Sequence, residues 1–104
     1  MNHNKNYSFI FNTRKMTEGA IYNIKALDNG FFIYPDDDLN NSKEMSFEKL
    51  MFPEFNCKEK ILAEIGEEII KIFNEVAPTV VIRYDEATKK AIDKMAASNS
   101  VIFE

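Results

Sequence analysis

Residues 20–34, AIYNIKALDNGFFIY, decide how this chain is read. Two runs rich in β-branched and aromatic residues flank Asp28-Asn29-Gly30. Asn-Gly is the preferred centre of a type I′ hairpin turn, because both central positions take positive φ. A two-residue Asn29-Gly30 loop pairs Leu27 with Phe32, Ala26 with Ile33 and Lys25 with Tyr34. Period-2 alternation then puts Ile24, Ala26, Phe31 and Ile33 on the core face and turns Leu27 and Phe32 away from it.

The layer that covers this face lies downstream. Leu62, Ile65, Ile69, Ile72, Phe73 and Val76 recur at spacings of three and four, a wide apolar stripe that must bury against the sheet. Asn56, with Glu59 three residues on, is the expected cap of this helix, and Pro78 closes its far end. Gly66, at the edge of the stripe, costs about 1 kcal/mol relative to Ala, so close backbone packing is the compensation expected there.

Upstream, residues 7–11 (YSFIF) form a strand with Tyr7, Phe9 and Phe11 on one face. Pro35 ends the hairpin, residues 36–46 make a solvated loop, and Ser46 caps a short helix over residues 47–52 that Pro53 stops. Beyond the long helix, residues 79–83 (TVVIR) are a buried strand. Asp85 caps a second helix running to about Ala97, with Ala87, Ala91 and Met95 inward, and residues 101–103 supply a last strand. Strand, helix and strand in that succession set up a right-handed parallel crossover. The order is βββααβαβ. This is an α+β domain over residues 7–104 behind a flexible tail of residues 1–6, with a mixed or antiparallel sheet of about five strands packed by one long and one shorter helix.

The totals agree with one soluble domain: 104 residues, 45% hydrophobic and 29% charged. The lone cysteine, Cys57, forms no intramolecular disulfide, residues 1–8 lack the apolar core of a secretory signal, and no apolar run is long enough to span a bilayer. A cytoplasmic protein is expected. Lys outnumbers Arg 11 to 2 and Asn occurs 11 times, a bias that suits an AT-rich microbial or phage source.

Charge is unevenly spread. Residues 36–75 hold 11 of the 17 acids and 5 of the 13 bases, a net of −6, while the rest carries +2. With a net of −4 overall, the chain is a poor nucleic-acid binder, since such affinity comes largely from neutralising phosphates.

Catalytic equipment is sparse. His3, the only histidine, sits in the tail, where nothing positions it as a base. Cys57 has no histidine to make a thiolate, although a first-turn position lowers a thiol's pKa. Asp36, Asp38, Asn40, Ser42 and Glu44 alternate as in an EF-hand loop, but Asn41 stands where the turn needs Gly and Phe47 where the bidentate Glu belongs. No enzyme, metal or cofactor is expected from these residues.

What remains is a surface. Phe47, Leu50, Met51, Phe52 and Phe55 are interleaved with acids, an anatomy that matches a binding hot spot. Phe52 and Phe55 are the expected anchors, with Asp36, Asp37, Asp38, Glu44, Glu48 and Glu54 steering a basic partner. The function expected is a small inhibitor or immunity-type protein, antitoxin-like, that neutralises a basic protein such as a toxin nuclease or a host-defence enzyme. Two alternatives stand beside it: a small enzyme or ligand-binding domain with a site assembled from Tyr22, Tyr34, Arg83 and the loop acids, and a nucleic-acid mimic whose acids imitate phosphates. Short strands near both chain ends leave an edge unprotected, so a weak homodimer or strand addition is also expected.

Overall fold

The computed structural model describes residues 6–11, 19–76 and 79–102. Five strands form one mixed sheet: β1 (Asn6–Phe11), β2 (Ala20–Ala26), β3 (Gly30–Pro35), β4 (Lys43–Ser46) and β5 (Val80–Asp85), in the spatial order β1-β5-β2-β3-β4. Only β2 and β5 run parallel; the other three pairs are antiparallel. A short 3-10 helix (Phe47–Leu50) and α1 (Lys58–Ile72) connect β4 to β5, and α2 (Glu86–Ile102) follows β5. The result is a single α+β domain with a mixed five-stranded sheet and two helices.

Both helices cover one face of the sheet. That face carries Ile24, Phe31, Ile33, Met45, Val80 and Ile82, all buried, with Tyr7, Phe9 and Phe11 of β1 packed at its margin. Ile61, Leu62, Ile65 and Ile69 of α1 and Ile92 of α2 press onto it. Gly66 is buried as well, and a Cβ there would stand 2.7 Å from the Phe11 ring. The close packing expected at this glycine is therefore present, and it is what lets α1 approach β1.

The hairpin forms, but its turn differs from the sequence expectation. Ala26 pairs with Phe31, Lys25 with Phe32 and Ile24 with Ile33, and the Leu27 N–H donates to the Gly30 carbonyl at 2.7 Å. The loop is therefore Asp28-Asn29, and neither Asn29 nor Gly30 has positive φ. The register moves by one residue on each strand, which preserves facing, so the core assignments of Ile24, Ala26, Phe31 and Ile33 stand. Gly30 serves another purpose: a Cβ on it would collide with the Met45 carbonyl of β4.

That neighbour corrects a second expectation. Residues 43–46 of the presumed solvated loop form strand β4, where Met45 alone turns into the core while Lys43, Glu44 and Ser46 are exposed. A polar strand at a sheet edge needs only one buried side chain, so hydropathy hides it. Ser46 does cap the following turn, its hydroxyl accepting from the Glu48 N–H at 3.2 Å.

The helix ends also move. α1 begins with Cys57 as an N-cap that makes no side-chain bond, rather than with Asn56. It stops well before Pro78: Asn74 takes φ 51°, and the N–H groups of Phe73 and Glu75 close back on the carbonyls of Ile69 and Ile70. This is a Schellman-type ending with Asn in the left-handed position, and it leaves Val76 89% exposed instead of on the stripe. Residues 101 and 102, expected in a last strand, continue α2 instead, and among the described residues no strand follows it to make a crossover. The buried face of α2 is Thr88, Ile92, Ala96 and Asn99; Ala87 is exposed and Ala91 and Met95 lie half-buried beside it. Of the tail expected over residues 1–6, Asn6 begins β1; residues 1–5 with His3, Pro78 and Phe103 lie outside the described residues.

Candidate functional site

The acidic segment folds into two separate places. β3 and β4 run antiparallel, with Gly30 opposite Ser46, so the turn holding Asp36, Asp37 and Asp38 lies at one end of these strands and the 3-10 helix at the other. Five strand steps from Gly30 to Pro35 amount to roughly 17 Å. Glu48, Phe52, Glu54 and Phe55 form one group, therefore, and Asp36 to Asp38 another; Glu44 sits between them on β4, beside Phe32 on the uncovered face of the sheet.

The first group is a knob with a fixed base. Leu50 is fully buried, Phe47 meets Phe31 edge-on at 5.0 Å and Phe55 packs against the core. Between these anchors Met51 is 54% and Phe52 48% exposed. Met51 cannot turn inward while Leu50 holds the chain beside it, and Pro53 prevents the helical turn from continuing. Phe52 leans edge-on against Phe55 at 6.5 Å.

A single side chain pins this loop. Asn99 of α2, buried, donates its amide to the Leu50 carbonyl at 2.9 Å and to the Phe55 carbonyl at 2.8 Å. Two carbonyls that no strand or helix satisfies thus find their donors in one residue, which bridges both ends of the loop. Lys49 adds an ion pair to the largely buried Glu68 of α1. Neither fastening was legible from the sequence, because the partners lie 49, 44 and 19 residues apart.

Acids surround the knob. Beside Phe55 a shallow groove of about 300 Å³ is lined by Phe11, Glu54, Ala63, Glu64, Glu67 and a single base, Lys60. Glu48 is exposed on the 3-10 helix. The aromatic-and-acid pattern expected for Glu48, Phe52, Glu54 and Phe55 is assembled here, extended by Glu64 and Glu67 from α1.

The second group is partly consumed by its own fold. Asp36 accepts from the Asn23 amide at 2.9 Å and lies 3.6 Å from Arg83, leaving Asp37 and Asp38 exposed in the turn. Tyr22 donates its hydroxyl to Glu75 at 2.6 Å, and burial, reinforced by that carboxylate, raises its pKa well above the ordinary value. The dispersed set Tyr22, Tyr34, Arg83 and loop acids is divided accordingly: Tyr22 belongs to the covered face, Tyr34 and Arg83 to the open one.

Among the described residues no three His, Cys, Asp or Glu side chains gather as a metal would require, and no helix is long and apolar enough to cross a membrane. Cys57 is half-buried and free. Comparison of the chain with protein-family models, with curated proteins and with solved structures returns no match.

Proposed function

We propose that this protein is a protein-binding module of the inhibitor or immunity type, which engages a basic partner through the knob at Met51 and Phe52 and the acids around it. The observation that carries this reading is the Asn99 clamp, which holds a loop rigid while its two largest side chains face solvent. Ordering such a loop before binding removes part of the entropic cost of association. Large apolar side chains at the centre with charges at the rim match the division of labour found in hot spots, where the centre sets the dissociation rate and the rim steers encounter.

The turn at Asp36 to Asp38 is too far away to belong to the same contact centre. Its exposed acids contribute to the long-range field that attracts a cationic surface. A toxin nuclease or a host-defence enzyme has such a surface where it grips nucleic acid, and covering it would be inhibitory.

Affinity capture from cells of the source organism tests the reading, with Met51→Ala/Phe52→Ala as the control bait. Both side chains are half-exposed, so the variant should keep its melting temperature while losing about 1 to 4 kcal/mol of binding for each anchor. Replacing Glu54, Glu64 and Glu67 by Gln should slow association at low salt and leave dissociation little changed. Identical capture by wild type and the double variant would sink the proposal.

A further inference from the structure

The uncovered face of the sheet carries a second feature, opposite in character to the knob. Around the C-terminal ends of β2 and β5, where the chain enters α2, a groove of about 870 Å³ is lined by Asn23, Lys25, Tyr34, Arg83 and Lys90, together with two carboxylates, Asp85 and Glu86. The strand register places Tyr34, Asn23 and Arg83 side by side in one row across β3, β2 and β5. Phe32 shares this face two residues earlier, its ring 5.8 Å from that of Tyr34. The row therefore runs from an aromatic ring to a guanidinium.

The two carboxylates of the groove keep their charge but are turned to partners within the fold. Asp85 accepts the Thr88 N–H at 2.9 Å, and Glu86 accepts the Tyr7 hydroxyl at 2.9 Å. Among the described residues Lys25 and Lys90 take part in no ion pair, and Arg83 meets only Asp36, at 3.6 Å with both side chains nearly half exposed. Lys25 lends its positive charge to Asp85, yet in a chain of net charge −4 this is a place where three cations converge on one groove.

The geometry points to a binding site for a small anionic ligand with a flat aromatic part, of the mononucleotide class. Its phosphate meets Arg83, whose planar fork suits a phosphate, with Lys25 and Lys90 as point charges beside it. The base lies on the Tyr34 ring, and the Asn23 amide, one N–H of which is held by Asp36, is placed to bond its edge with its second N–H and its oxygen. Three cations set against Asp36, Asp85 and Glu86 leave the groove near neutral, enough to accept a single phosphate at Arg83, whereas a long polyanion would meet the net negative charge of the chain. This site is independent of the knob and stands or falls apart from it.

Amide chemical-shift titration of the full chain with adenosine monophosphate, adenosine and inorganic phosphate tests the site. Saturable shifts at Asn23, Tyr34 and Arg83 are expected with the nucleotide, and binding weaker by about tenfold or more is expected with either fragment alone. Arg83→Gln, at an exposed position, should fold normally and lose about tenfold in affinity. Asp36→Asn, which removes the competing carboxylate, should tighten binding, a gain that damage to the fold would not produce. No saturable shift at millimolar nucleotide, phosphate binding as well as the nucleotide, or an Arg83→Gln variant of unchanged affinity would each overturn the assignment.

Discussion

Gly66 works against its own helix and for the molecule around it. Alanine there gains about 1 kcal/mol of helix propensity, but its Cβ would stand 2.7 Å from two atoms of the Phe11 ring and 3.2 Å from the Phe11 Cβ. The ring is attached to a strand hydrogen-bonded to β5, so it cannot retreat without moving β1. Gly66→Ala should therefore lower stability by about 1 to 2 kcal/mol, overpacking outweighing propensity. Thermal melting decides it: an unchanged or raised melting temperature would mean that β1 slides away from α1 at no cost. This glycine could be understood from the sequence, because the apolar stripe on either side of it showed which way it faces. Gly30 could not. Asn-Gly spells a type I′ turn locally, and the true reason for the glycine is its contact with the Met45 backbone, in a strand whose KEMS sequence offers one apolar residue and no periodicity. Asn99 was silent for a similar reason, since a helical asparagine gives no sign of carbonyls it will meet more than forty residues away.

At the scale of elements, Asp85 ends β5 and starts α2, and it ties both to β2. Thr88 donates to Asp85, while its hydroxyl accepts the Ala26 N–H at 3.1 Å. The hydrogen bonds from Thr88, helped by the positive charge of Lys25, hold the Asp85 carboxyl below its ordinary value of 3.8. A depressed carboxylate contributes stability that is fully present above its unfolded value and is lost as pH falls through its folded one. Unfolding by urea should accordingly show Asp85→Asn less stable than wild type at pH 7, with the difference shrinking below about pH 4. Asparagine is itself a good cap, so the comparison isolates the charge. A gap that stays constant down to pH 3 would show that the cap does not depend on ionisation. The cap was legible because Asp before a helical pattern is a strong local signal. The far end of α2 was not: Val101 and Ile102 have strand composition, yet they continue a helix whose buried face, Thr88, Ile92, Ala96 and Asn99, already holds it against the sheet. Tertiary packing overrides β propensity in such short terminal runs.

For the whole molecule, a sheet covered on one face leaves two edges, and they are unequally protected. β4 is four residues long and carries Lys43 and Glu44, both exposed; short length and charge are the usual means of blunting an edge. β1 is six residues long, lies at the opposite edge with β5 as its only strand neighbour among the described residues, and offers Tyr7, Ser8, Phe9 and Ile10 without a charge or proline among them. Ile10 is 43% exposed on the uncovered face. An outer edge of this kind can pair with the same edge of a second copy, or take up a strand from a partner. Val101 and Ile102, expected to share this role, belong to α2, so β1 carries the prediction. Sedimentation velocity at increasing concentration should show weak, reversible association of the wild type. Ile10→Lys, placing a charge on the bare strand, should suppress it without loss of helical circular dichroism, as gatekeeper charges do at other edges. Because Ile10 and the knob belong to different surfaces, Met51→Ala/Phe52→Ala should leave the association unchanged. A wild type that stays monomeric at the highest concentration, or association that the knob variant abolishes, would show that copies of this chain do not meet along β1.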